Sequence, residues 1–399
     1  MSNEGLSREG LQRLDHATLG FVQRGEVPGA AYAVSRDGQL HVGAVGTLSA
    51  GGARGAVQRD TIFRIASLTK PITAVATLML VEDGKLQLDE PVDRLLPELR
   101  ARRVLTRPDG PLSETVPAAR PITPRDLLTF CFGLGQMLPD GPLAREAQQL
   151  AIGMGPPAPN ATPAPDEWLR RLGSLPLAHQ PGERWQYNTG SDVLGVLIAR
   201  ASGLSFGTFL QERIFQPLGM RETAFSVPEA KLERFADSYM PDVKGELVLF
   251  DRALGGQWSR PPAFESGAGG LCSTVDDYLA FAHAMLHEGE WNGVRLISRA
   301  SFHALSTDQL RPQQKRGATY TPGYFETHGW GFGVGVTTAA GDPAEPAGTF
   351  GWYGGLGSSW HVSPRERMTC VYLSQRSFTS PEPPSHIRDF AVQAHAALT

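Results

Sequence analysis

Cysteine is scarce in this chain of 399 residues: Cys131, Cys272 and Cys370 lie far apart and are odd in number. That pattern makes neither a disulfide framework nor a paired-cysteine metal clip, and the three read as buried thiols. Long apolar runs are lacking too. The longest, Ile72 to Val81, is broken by Thr73 and Thr77 and is too short to span a bilayer. The opening MSNEGLSREG has no basic region followed by an apolar core. The expectation is a cytoplasmic protein with no membrane partner. Charge of one sign is also lacking: the formal net charge is -4 and the basic residues are scattered. No basic stripe can follow a phosphate backbone, so nucleic acid is not an expected partner. No phosphate loop or dinucleotide fingerprint occurs, and no cofactor is expected. Lysine is rare, with five in the chain, so a lysine inside an apolar run stands out.

What is present is enough apolar sequence, 41% of the chain, for a large core. Ser7 can cap a helix whose apolar positions Leu11, Leu14, Phe21 and Val22 share a face. GAAYAVS and QLHVGAVG flank Arg-Asp-Gly, which predicts a β-hairpin. A helix is expected from about Ser67 to Glu82, ended by Gly84. Residues 86 to 290 carry mostly helical patterns, including TPRDLLTF, SDVLGVLIARASG and STVDDYLAFAHAMLHEG. Two proline-bearing stretches, RPDGPLSETVPAARP and GMGPPAPNATPAP, read as surface loops. The end returns to strand patterns and a last helix, SHIRDFAVQAHAAL. The expected fold is α+β: an antiparallel sheet flanked by helices, built from 1–85 and 291–399, with an inserted mostly helical domain, 86–290, and the active site in the cleft between them.

The stretch RIASLTKPITAV, Arg64 to Val75, puts Ser67 three residues before Lys70 and Pro71 directly after it. On one helix turn the serine and lysine share a face, and Pro71 falls where a missing N–H is tolerated. The helix N-terminus and burial both push such a lysine toward its neutral form, and a neutral lysine is a base for a serine hydroxyl. On this motif alone, Ser67 as a helix cap beside a solvated Lys70 is an equally open reading.

ASLTKPIT, the stretch PGERWQYNTGSDVLGVLIARASGLSFGTFLQERIFQPLGM from Pro181 to Met220, and GAGGLCSTVDDYLAFAHAMLHEG together resemble the serine hydrolases that include class C β-lactamases, DD-peptidases and family VIII carboxylesterases. The resemblance covers nearly the whole chain. It implies a β-lactamase/transpeptidase-like fold with Ser67 as nucleophile and Lys70 and Tyr187 sharing its proton. It also implies an oxyanion site at the backbone N–H groups of Ser67 and Gly355. There are three departures. The tyrosine element reads Tyr187-Asn188-Thr189, with threonine where relatives carry asparagine. The Lys-Thr-Gly element is replaced by Trp352, Tyr353 and Gly354, a Trp-x-Gly that resembles the carboxylesterase branch. Phe130 and Phe132 stand where relatives have polar residues, which suggests a more apolar pocket edge. The expected pocket residues are therefore Gly355, Trp352, Gly354, Tyr353 and Thr189.

A competing nucleophile is Ser205 in GLSFG, which fits the G-x-S-x-G elbow with Asp277 and His361 as conceivable partners. Helical spacing before it argues instead that Gly203 ends one helix and Ser205 caps the next. SDV after Thr189 is not Ser-Asp-Asn, and His283 and His287, four apart, lack the glutamate of a zinc motif and read as a solvated pair with no metal. The expected function is a serine carboxylesterase cleaving neutral, short-chain, small-molecule esters through an acyl-enzyme on Ser67. A β-lactamase, a D-peptidase or amidase, an acyltransferase of the same fold, and a penicillin-binding protein that acylates without turnover remain the alternatives.

Overall fold

The computed structural model describes residues 5–136, 141–152, 155–317 and 321–399. Helix α1, Arg8–Gln23, starts as its sequence requires, with Ser7 Oγ accepting from the Gly10 N–H. The hairpin follows: β1, Gly29–Arg36, and β2, Gln39–Gly46, joined at Asp37 and Gly38, which both have positive φ. That is the turn whose twist matches antiparallel strands, and Asp-Gly is its favoured pair. Gly43 in β2 has a conformational reason as well, since a Cβ there would stand 2.1 Å from the Tyr32 ring.

Helix α2, Thr69–Glu82, is buried from Thr69 through Leu80 and is preceded by a single 3-10 turn, Ala66–Leu68. Ser67 therefore lies on that turn rather than on the α-helix itself. Pro71 is the third α-helical residue, where its missing N–H leaves no bond unmade. Burying α2 on all sides is possible because its threonines are satisfied: Thr73 Oγ1 donates to the Gly267 carbonyl at 2.8 Å and Thr77 Oγ1 to that of Thr73 at 2.9 Å.

Helix α3, Thr189–Ser202, ends at Gly203 in the left-handed region, and Ser205 caps the next helix, Phe206–Leu210, by accepting from the Thr208 N–H at 3.1 Å. No strand enters GLSFG, so the elbow geometry is not formed. Helix α4, Val275–Leu286, is capped by Thr274. The C-terminal third supplies β3, His328–Trp330; β4, Gly335–Thr337; β5, Phe350–Gly354; β6, Ser358–Ser363; and β7, Met368–Ser374; then α5, Ser385–Ala396. The seven strands form one antiparallel sheet in the order β3-β4-β5-β6-β7-β1-β2.

The centre of that sheet is covered on both faces. In β1, Ala31 and Ala33 join the large core, while Ala30, Tyr32 and Val34 pack with Leu14 of α1 and Ile387 and Phe390 of α5. Strict alternation of side chains makes one strand serve two cores. Residues 86–290 hold more strand than their helical pattern suggests: Arg103–Leu105 pairs with Thr115–Pro117, so the first proline-bearing stretch carries half of a hairpin, and Ser238–Pro241 pairs with Leu247–Asp251. Among the described residues no single helix is long and apolar enough to cross a membrane.

Candidate active site

Side chains hold three of the carbonyls around Ser67. Ser358 Oγ of β6 donates to the Ile65 carbonyl at 2.8 Å, Thr69 Oγ1 to that of Ala66 at 2.7 Å, and Tyr278 OH of α4 to that of Leu68 at 2.9 Å. Ala66 itself has φ 44°, a left-handed conformation that costs a non-glycine residue about 1–3 kcal/mol. The clamped carbonyls hold that strained step in place and present Ser67 to a cavity.

Lys70 Nζ, fully buried one turn on, donates to Ser67 Oγ at 2.8 Å and to the Ala268 carbonyl at 2.6 Å. Burial pulls its pKa from 10.5 down to about 7, against an opposing pull from the Asp192 carboxylate. Tyr187 stands on the other side. Its ring lies 4.6 Å from Lys70 Nζ, and its hydroxyl interacts with Ser67 and accepts from Trp352 Nε1 at 2.7 Å. Burial pushes the Tyr187 hydroxyl up to about 12, with the bonds to Ser67 and Trp352 pulling the other way.

Gly354 explains how β5 comes so near: a Cβ there would stand 2.3 Å from the Ile65 carbonyl oxygen, so only glycine lets the strand approach the Ser67 turn. The next residue, Gly355, lines the same cavity as Ser67. Neither the Ser67 nor the Gly355 backbone N–H donates to another described residue, which leaves two free donors on residues that line one cavity. A hydroxyl, a buried amine near neutrality, a phenol and two free N–H groups can together perform nucleophilic acyl transfer. Among the described residues no group of three or more His, Cys, Asp or Glu is placed to hold a metal ion.

The cavity measures about 930 Å³. Of the residues expected in its wall, Ser67, Tyr187, Tyr353 and Gly355 are there, while Trp352, Gly354 and Thr189 are not. Trp352 is buried behind Tyr187, with its ring 4.6 Å from that of Trp330. Thr189 opens α3 with its hydroxyl turned into protein. Phe130 and Phe132 are likewise core residues rather than pocket edge; the Phe130 ring packs 5.8 Å from that of Tyr187. The second proline-bearing stretch is no mere surface loop, because Pro156, Pro157 and Pro159 form one wall; Gly153 and Met154, its first two residues, lie outside the described residues.

The elbow partners are engaged elsewhere. Asp277 accepts from Thr223 Oγ1 at 2.8 Å and the Glu222 N–H at 2.7 Å, and His361 pairs with Glu345. Of the pair expected to be solvated, His287 is exposed but His283 is half-buried. It stacks on Trp291 at 4.2 Å, and burial, with His287 adding to it, pulls its pKa down to about 4.

Two cavity residues escape a motif reading. Asn188 has φ 85° and ψ -68°, the centre of a γ-turn closed by the Thr189 N–H on the Tyr187 carbonyl at 3.3 Å. Asp192, in the first turn of α3, accepts from Ser266 Oγ at 2.6 Å and the Ala268 N–H at 3.0 Å. A carboxylate in the otherwise apolar run GSDVLGVLIA is the signal that could have found it.

The family model described as Beta-lactamase matches residues 14–394. The chain belongs to the beta-lactamase family. Within the family it is 38% identical over 351 residues to Protein Rv1367c of Mycobacterium tuberculosis, covering 86% of this chain and 82% of that one. It is 32% identical over 389 residues to esterase EstB of Burkholderia gladioli, covering 92% and 90%. Among solved structures of the fold, EstCE1 matches with a TM-score of 0.78 at 23% identity over 98% of each chain. The fold expected from sequence is thereby shown, and with it the membership of a family of serine hydrolases and acyl-transferring enzymes.

Proposed function

We propose that the protein is a serine carboxylesterase that cleaves neutral esters through an acyl-enzyme on Ser67. In this reading Ser67 Oγ attacks the ester carbonyl carbon while Lys70 Nζ takes its proton, and the carbonyl oxygen enters the two N–H groups of Ser67 and Gly355. Tyr187 passes a proton to the departing alkoxide as the C–O bond breaks, leaving the acyl group on Ser67. Water then attacks the acyl carbonyl as Tyr187 takes its proton, the bond to Ser67 Oγ breaks as Lys70 returns a proton to that oxygen, and the acid leaves.

One observation carries the ester over the lactam: the described lining of the cavity holds no lysine or arginine, and Asp192 lies in it. A hydrogen bond to a charged partner is worth about 1.5–3 kcal/mol, or roughly ten- to a hundredfold in selectivity. An anionic penicillin would give up its hydration here without that return; a neutral ester has no such requirement. The expected result is a kcat/KM for p-nitrophenyl butyrate at least about tenfold above that for any common penicillin or cephalosporin. Faster opening of a lactam would transfer the site to the β-lactamase reading.

A second reading is favoured by the size of the cavity. About 930 Å³ admits bulkier groups than the short-chain esters expected from sequence and leaves room for an alcohol beside the acyl-enzyme. EstCE1, a neighbour in fold, is described as a hydrolase with promiscuous acyltransferase activity. Adding an alcohol during turnover and measuring the new ester against the free acid distinguishes transfer from hydrolysis.

A further inference from the structure

The segment Ser266-Gly267-Ala268-Gly269-Gly270 carries three glycines, so its backbone has little rigidity of its own. Yet the Ala268 carbonyl is one of two acceptors that hold Lys70 Nζ. Thr73 Oγ1 and Trp258 Nε1 hold the segment's Gly267 and Gly270 carbonyls at 2.8 Å each, and α3 fixes Ala268 between them. Asp192 Oδ1 accepts from Ser266 Oγ at 2.6 Å and from the Ala268 N–H at 3.0 Å, while Ser266 Oγ in turn accepts from the Gly269 N–H at 3.1 Å. One peptide residue is thus gripped at its N–H by the carboxylate and, at its carbonyl, grips the amine.

We propose that Asp192 is a positioning residue that sets both the place and the charge state of Lys70. It acts through the Ala268 peptide for the first and through its negative charge for the second. The inference rests on the reading in which Lys70 takes the Ser67 proton. The surroundings isolate the effect. Tyr187, the other titratable group against Lys70, is kept protonated by burial; Glu265 beside the glycine segment is turned to the Gly207 N–H at 2.7 Å; and Arg64, upstream of the Ser67 turn, is buried against Asp251. Asp192 is left as the charged group acting on the lysine. Its own carboxyl is raised by burial and drawn back by the Ser266 hydroxyl, the Ala268 N–H and Lys70. An anion there favours the protonated amine, so removing the charge makes Lys70 a free base at lower pH.

The test is the pH dependence of Ser67 labelling by a fluorophosphonate, followed by mass mapping, in the wild type, Asp192→Asn and Asp192→Glu. Asparagine keeps the acceptor for Ser266 and Ala268 but loses the charge. The acid limb is expected to move down by at least about half a pH unit, roughly threefold in rate at its acid end. Glutamate keeps the charge but not the reach, so its limb is expected to stay while the plateau rate falls about tenfold or more. A role in packing alone would lower stability in both variants and move neither profile. A limb unmoved in Asp192→Asn overturns the charge effect, and a plateau unmoved in Asp192→Glu overturns the positioning effect; each variant decides its part if the other fails to fold. Absence of label on Ser67 in the wild type is a different failure and removes the underlying reading instead.

Discussion

Trp352→Phe separates two roles for the residue that replaces the family lysine. As a pocket wall its indole would contact substrate, and the substitution would change KM. The structure puts it elsewhere: Trp352 is 2% exposed and its Nε1–H is spent on the Tyr187 hydroxyl at 2.7 Å. Phenylalanine keeps most of the ring packing but removes that donor. In the resting enzyme the loss concerns a neutral hydroxyl, worth about 0.5–1.5 kcal/mol. When Tyr187 gives up its proton the same N–H supports a phenolate, and a bond to a charged group is worth about 1.5–3 kcal/mol. The difference falls on the proton-transfer step, so kcat for an alkyl ester such as ethyl butyrate, whose alkoxide must be protonated as it leaves, is expected to drop about five- to fiftyfold with KM within about threefold of wild type. The indole N–H also helps to hold the Tyr187 pKa down, so any alkaline limb should move to higher pH. Steady-state kinetics across pH, with a melting curve to confirm folding, provide the assay. A several-fold rise in KM at unchanged kcat would refute the reasoning and return Trp352 to the cavity wall.

Ser67→Ala is expected to abolish turnover and phosphonate labelling, whereas Ser205→Ala should keep most activity and cost about 1 kcal/mol as a lost helix cap, read from a denaturant midpoint. Because burial holds Lys70 near 7 and the base must be neutral, kcat/KM should fall about tenfold per unit below that pH and level off above it; a limb near 10 in a pH–rate profile would contradict the buried-amine picture. Asn188→Gly should raise stability by about 1 kcal/mol by relieving the γ-turn strain, with thermal melting as the check and destabilisation as the contrary result.

How much of this was legible depended on the range of each interaction. The hairpin at 29–46 follows from a two-residue period around Asp-Gly, and Ser205 as a cap follows from the helical spacing before Gly203, because both are decided within a few residues. Ser67 and Lys70 are three apart, so a turn of helix brings them together without help. Trp352 was misplaced because its position on a strand does not say that its bulk fills the space beneath Tyr187, 165 residues away in sequence. Asp192 stayed hidden for a related reason: its partners are a serine and a backbone amide 74 and 76 residues distant, and a backbone amide leaves no trace in composition or motif. Strain at Ala66 was equally invisible, since alanine does not announce a positive φ; asparagine does favour one, but the γ-turn pair of φ 85° and ψ -68° at Asn188 lies outside the left-handed helical region it usually visits.

The two-faced β1 has a consequence for how the chain is made. Its register with β7 runs from Ala30 opposite Ser374 to Arg36 opposite Met368, so about 340 residues separate the partners. On a ribosome adding roughly 5–20 residues per second, the N-terminal hairpin waits on the order of 20–70 s for the strand that completes it. Throughout that interval the β7-facing side of β1 is an unpaired edge, and the face of Ala30, Tyr32 and Val34 has α1 but not yet α5 as its cover. Biogenesis is therefore the vulnerable period of this protein: high expression rates should drive nascent chains together through that edge, and slower synthesis or a holdase chaperone should recover soluble enzyme without any change to the folded state.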